Sequence, residues 1–246
     1  MSRMAQIIWK SIGVGVMAII MIAAVVWGYK MRPTDTPCSA LTFIIEDRAD
    51  RLYVTETELT QVLRTEELYP VGQTINSLSL YRIEQAIQRH PMVRKVECYL
   101  TPRNEVRVRL RQRVPLLRVI KPDETFFIDT DRKAMPVRAA VKDSVLVVTG
   151  TVGVQFASRD LANFAVWLQH NTYWRKRIHH VSVQSPQMIY LYMQDNQPRI
   201  VLGRMSGYEK KLAKMRTFQE NSAEAIQDKQ YKEYDIRFHG QVIGRY

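Results

Sequence analysis

What this 246-residue chain lacks first is any signature of catalysis or of a held ligand. Gly150 and Gly153 sit between strand-like segments with no following Lys-Ser/Thr, so a phosphate-cradling loop is excluded. No G-x-S-x-G elbow occurs. The only adjacent histidines, His179 and His180, would point to opposite faces of a strand and make poor joint metal ligands. Acidic side chains are scattered without a pair suited to shared acid and base work. Asp129 and Asp131, after an aromatic strand end, read as turn-formers. Cysteine is nearly absent. Cys38 and Cys98 allow one disulfide in an oxidising compartment, or stand as two unpaired core thiols, and spacing does not choose between these. The chain therefore gives an enzyme no foothold, and neither a metal, a cofactor nor a small-molecule substrate is expected.

Long apolar runs are also scarce, with one exception. The nineteen residues Ser11 to Tyr29 carry no charge and lie between Lys10 and Lys30. As a helix they would be about 28 Å long, close to the hydrocarbon thickness of a bilayer. A cleaved signal peptide has a shorter apolar region, about 7–15 residues, ending in small residues that Met31 to Asp35 do not supply. The segment reads as an uncleaved single-pass anchor behind a cytoplasmic tail of residues 1–10. Lys/Arg counts on its two sides do not fix its orientation. A short amino-terminal tail ahead of a long translocated domain is the commoner arrangement, which places residues 31–246 outside the cytoplasm.

Acidic residues are in deficit as well, 24 against 36 Lys and Arg, for a net charge of +12. In the cytosol that balance would suggest nucleic acid. Beyond a membrane it points instead to anionic lipid, cell-wall polymer or an acidic protein.

Past a Pro-containing stem, Leu41 to Ile45 reads as a strand. Thr55 and Glu58 have capping-box spacing before an apolar stripe of Leu59, Val62 and Leu63. A second helix is predicted from Asn76 or Ser77, with Leu80, Ile83 and Ile87 on one face and a stop near His90, before Pro91. Strands over Val93 to Leu100 and Glu105 to Arg113 follow, joined by a turn at Thr101 to Asn104. The unit is β-α-α-β-β over residues 38–113. Residues 114–246 are strand-rich: 116–120, 125–129, 145–149, 181–183, 188–193 and 199–202. Two helices interrupt them, Leu161 to His170 and Tyr208 to Gln219. In the second, Lys210, Lys211, Lys214 and Arg216 read as a solvated face. The chain closes with Tyr234 to Phe238 and then His239 to Gly244. The fold class is α+β.

One strand alternates strictly, with Val106, Val108 and Leu110 against Arg107, Arg109, Arg111 and Arg113. One face is buried and the other wet. The arginine row is either a solvated sheet face or a docking stripe for an anionic partner.

The order of parts resembles the FtsQ/DivIB family of bacterial cell division proteins. Carrying the resemblance are His90-Pro91-Met92-Val93, Gln112-Arg113-Val114-Pro115-Leu116-Leu117-Arg118-Val119, Phe126-Phe127-Ile128-Asp129, Met135-Pro136, Val147-Val148-Thr149-Gly150, Ile200-Val201-Leu202-Gly203 and Tyr234 to Gly244. They span nearly all of the chain beyond the anchor. One departure stands out: the D-x-x-G turn of the family reads Asp129-Thr130-Asp131-Arg132 here, without its glycine.

The resemblance implies a POTRA domain at 38–113, a β domain at 114–246, no catalysis, and a scaffold at the division site in the inner membrane. It also implies FtsB-like and FtsL-like coiled-coil partners. By the same resemblance the carboxyl-terminal strand lies at a sheet edge, with Tyr234, Asp235, Ile236, Arg237, Phe238 and Gly240 as partner-binding residues. Free edge N–H and C=O groups would accept a partner strand there.

Overall fold

The computed structural model describes residues 15–27, 36–46, 53–137, 145–194, 197–222 and 231–246. Of the anchor segment, residues 15–27 form helix α1, exposed throughout, and the rest lies outside the described residues. Among the described residues no helix is long and apolar enough to cross a membrane.

The first folded unit is a three-stranded sheet under two helices. Strands β1 (Ala40–Ile45), β2 (Val93–Leu100) and β3 (Glu105–Gln112) lie in the order β1-β3-β2, with β3 parallel to β1 and antiparallel to β2. Helix α2 (Glu56–Thr65) opens on the expected capping box, Thr55 accepting from the Glu58 N–H and Glu58 from the Thr55 N–H. The second helix begins later than the apolar stripe suggests. Ile75–Ser77 form a single 3-10 turn, and α3 (Leu80–Gln88) starts where the Ser79 hydroxyl accepts from the Arg82 N–H. Leu59, Leu63, Ile83 and Ile87 are buried against Val106, Val108 and Leu110 of β3. Each such side chain contributes about 1.5–3 kcal/mol on burial.

The second unit is one nine-stranded sheet, ordered β12-β11-β10-β9-β8-β7-β4-β5-β6. Its strands are β4 (Pro115–Ile120), β5 (Thr125–Asp129), β6 (Ala134–Pro136), β7 (Leu146–Gly150), β8 (Ile178–Ser185), β9 (Met188–Met193), β10 (Arg199–Gly203), β11 (Glu233–Asp235) and β12 (Ile243–Arg245). Between β7 and β8 run α4 (Val154–Phe156), a π turn (Ala157–Leu161), α5 (Ala162–His170) and α6 (Thr172–Arg175). Helix α7 (Tyr208–Asn221) follows β10. The apolar periodicity had shown only the α5 part of the first run. One row of side chains crosses seven strands by register: Val119, Val148, Val181, Leu191, Ile200, Tyr234 and, last, Gly244. Phe164, Ala165 and Leu168 of α5 and Leu212 and Met215 of α7 share that core.

Gly150 ends β7 at φ 110°, and a β-carbon there would stand 2.0 Å from the Val183 carbonyl oxygen. Only glycine allows β7 and β8 to close at that point. The missing glycine of the Asp129 turn has a different solution. Arg132 takes the left-handed conformation itself, at φ 66°, while its N–H bonds the Asp129 carbonyl and the Lys133 N–H bonds the Asp129 carboxylate at 2.7 Å. Asp129 is thus a turn-former, as expected, and also something more.

That further role lies at the junction of the two units. Phe127 and Met135 belong to the second sheet yet pack into the core of the first. Gln112 accepts from the Tyr53 and Val54 N–H groups at 2.7 and 3.1 Å, fixing the approach to α2. Arg113, the next residue, donates to Asp129 at 3.1 Å and to the Val93 carbonyl at 3.3 Å. Arg94 pairs with Asp131. The Gln-Arg-Val-Pro string is therefore a fastening between units.

Candidate partner-docking edge

Strand β11 is not the sheet edge. It pairs in parallel with β10 and antiparallel with β12, so both its sides are used. Tyr234, Asp235 and Ile236 are buried, and the Ile236 N–H donates to the Val201 carbonyl. The expectation that Tyr234 to Phe238 offers a free edge is corrected on this point. The chain turns after Ile236, passes Gly240 at φ 71°, and lays Ile243–Arg245 along the side that β11 would otherwise expose. The edge at this end of the sheet is β12.

Side chains hold that short strand from both faces. On one, Arg245 donates to Glu233 and Asp235, each at 3.1 Å. Asp235 is fully buried and also accepts from Arg237, through Nε at 2.9 Å and Nη2 at 2.6 Å. Burial alone would push the Asp235 carboxyl up, but the Arg237 hydrogen bonds and the Arg237 and Arg245 charges outweigh it and hold it below its ordinary range. On the other face the Tyr231 ring lies over Gly244, where an added β-carbon would meet it at 2.4 Å. Tyr231 itself stacks on Tyr246, with centroids 4.9 Å apart.

The expected contact residues thus divide by their surroundings. Arg237 is occupied with Asp235 and lays its stem over Gly203, leaving little room even for a β-carbon there. Phe238, by contrast, is 47% exposed, and Gly240 is exposed. Ile243 and Tyr246 are exposed as well. The signal for β12 was present in the sequence: a His239-Gly240 turn and five residues after it that return with strand character.

The basic residues of α7 are not a simple solvated face. Lys211 donates to the Leu202 and Arg204 carbonyls at 3.1 and 2.9 Å, and Lys214 to three carbonyls of the β11–β12 connection. Burial lowers the pKa of both ammonium groups, with Asp235 opposing the shift at Lys214. Arg216 does lie outward, paired with Glu220 and stacked over Tyr173.

The arginine row also separates. Arg107 pairs with Glu105, while Arg109 and Arg111 both pair with Glu46. Lys95 and Glu97 add a further pair on the neighbouring strand. Arg113 leaves the row altogether for Asp129, because its side chain follows the chain out of β3 toward the second unit. Both cysteines are free thiols. Burial, with the Glu84 charge, pushes Cys98 up to about 12, which makes it unreactive. His180 bonds Thr149 at 2.8 Å while His179 is exposed, and no cluster suited to a metal occurs among the described residues.

A small β-α-α-β-β unit is fastened to a long sheet whose two outermost strands, β12 and β6, are each three residues long. Family comparison agrees: residues 36–111 match the POTRA-like domain, and residues 114–245 match the model described as FtsQ/DivIB, C-terminal related. The latter covers more than half of the chain, which therefore belongs to the FtsQ/DivIB family of cell division proteins. No curated protein matches the chain.

Proposed function

We propose that this protein is a non-enzymatic scaffold of the bacterial division machinery, anchored in the inner membrane through residues 11–29 with residues 31–246 outside the cytoplasm. It docks FtsB-like and FtsL-like coiled-coil proteins at the septum. The observation that carries the reading is the edge strand β12, whose outward side has no neighbour among the described residues and beside which Phe238 is exposed. A partner strand laid along Ile243–Arg245 would gain main-chain hydrogen bonds, and its side chains would read Phe238 and Ile243.

Two measurements test this. Phe238→Ala should weaken binding of an FtsB-like extracytoplasmic segment by about 2 kcal/mol, as for a central aromatic anchor, with circular dichroism unchanged. Unaltered binding would remove Phe238 from the interface. A reporter active only outside the cytoplasm, fused after Tyr246, should be active, and activity restricted to a cytoplasmic reporter would reverse the topology. Attachment through basic surface alone is disfavoured by the pairing of Arg107, Arg109 and Arg111 with carboxylates. Such attachment would fall steeply with ionic strength, whereas strand addition would largely survive.

A further inference from the structure

An ammonium group has three N–H donors. Those of Lys214 go to three main-chain carbonyls of one short stretch: Ile236 at 3.3 Å, Gln241 at 2.6 Å, and Phe238 in a closer contact. That stretch is the connection from β11 to β12. Three carbonyl dipoles converging on one point repel each other, and the Lys214 ammonium offsets that repulsion and ties the three together. The same conformation determines where β12 lies and which way Phe238 faces.

We propose that Lys214 is a positioning residue for the docking edge. It holds residues 236–242 in the arrangement that lays Ile243–Arg245 against β11 and leaves Phe238 exposed, so the edge is complete before a partner arrives. The inference rests on β12 being the docking edge. Lys211, three residues earlier, holds the Leu202 and Arg204 carbonyls instead and provides an internal control.

If the edge is preformed, its loss reduces apparent affinity by the fraction of molecules still competent, and the loss falls on the association rate. In the full-length, detergent-solubilised protein, Lys214→Met should slow association of the FtsB-like segment about tenfold while leaving its dissociation rate within about twofold. Lys211→Met should leave both rates near wild type. Hydrogen exchange of the free protein provides a readout that needs no partner. Amides of residues 236–245 should exchange about tenfold faster in Lys214→Met, with Val148 and Val181 unchanged. Unchanged exchange at 236–245 in Lys214→Met, while a variant that dislodges β12 still abolishes binding, would overturn the role of Lys214 and leave the edge reading standing. Faster exchange with normal binding, in Lys214→Met and in the β12 variant alike, would show that the partner docks elsewhere, and the inference would fall with that reading.

Discussion

Replacing Arg113 with alanine is expected to cost about 3 kcal/mol or more of folding stability, because it leaves a buried carboxylate without its cation. The Asp129 side chain is 2% exposed and that of Arg113 only 18%. Asp129 retains the Lys133 N–H, but one neutral donor does not replace a guanidinium. Arg113 also donates to the Val93 carbonyl, so the change loosens both units at their junction. Reversing Arg109 and Arg111 together should behave differently. Both are exposed and paired to a single carboxylate, and exposed pairs contribute about 0–1 kcal/mol each. Urea unfolding of the full-length protein in detergent measures both. An Arg113→Ala midpoint equal to wild type would show that the junction is not held by this pair.

The second large effect concerns the edge. Gly244→Val is expected to lower affinity for an FtsB-like segment about 100-fold, or close to 3 kcal/mol, while the domain stays folded. A β-carbon at 244 would overlap the Tyr231 ring, which is flanked by Tyr246 and, at 5.5 Å between centroids, by Tyr234. The ring has nowhere to retreat without breaking the stack. The valine therefore displaces β12 from β11. Only three residues are lost from a nine-stranded sheet, and the buried row from Val119 to Tyr234 remains. Normal binding by a folded Gly244→Val protein would place the partner away from β12.

Much of the fold was legible because its signals are local. The capping box at Thr55 and Glu58, the stop before Pro91 and the strict alternation of β3 each follow from a few neighbouring residues. The lower legibility lies where distant segments decide. Arg113 continues the alternation of β3 by sequence, yet its partner is sixteen positions away and on another unit. Lys211 and Lys214 share a helix face that hydropathy assigns to solvent, and only the fold brings backbone carbonyls to them. The candidate site shows the same division. An edge near the carboxyl end followed from the family resemblance alone, and which of two short strands lies outermost depends on how the chain turns at Gly240. The resemblance puts that edge at Tyr234 to Phe238, whereas Tyr234, Asp235 and Ile236 are buried beside β12, which covers them.

The central claim is that a partner adds a strand to β12. Its most direct test is hydrogen exchange on the full-length protein with and without the FtsB-like segment. The account predicts new protection within Ile243–Arg245 and slower exchange through 236–242, with little change along β2 or β3 of the first unit. Protection confined to the face of Arg107, Arg109 and Arg111, with β12 exchanging as in the free protein, would contradict it.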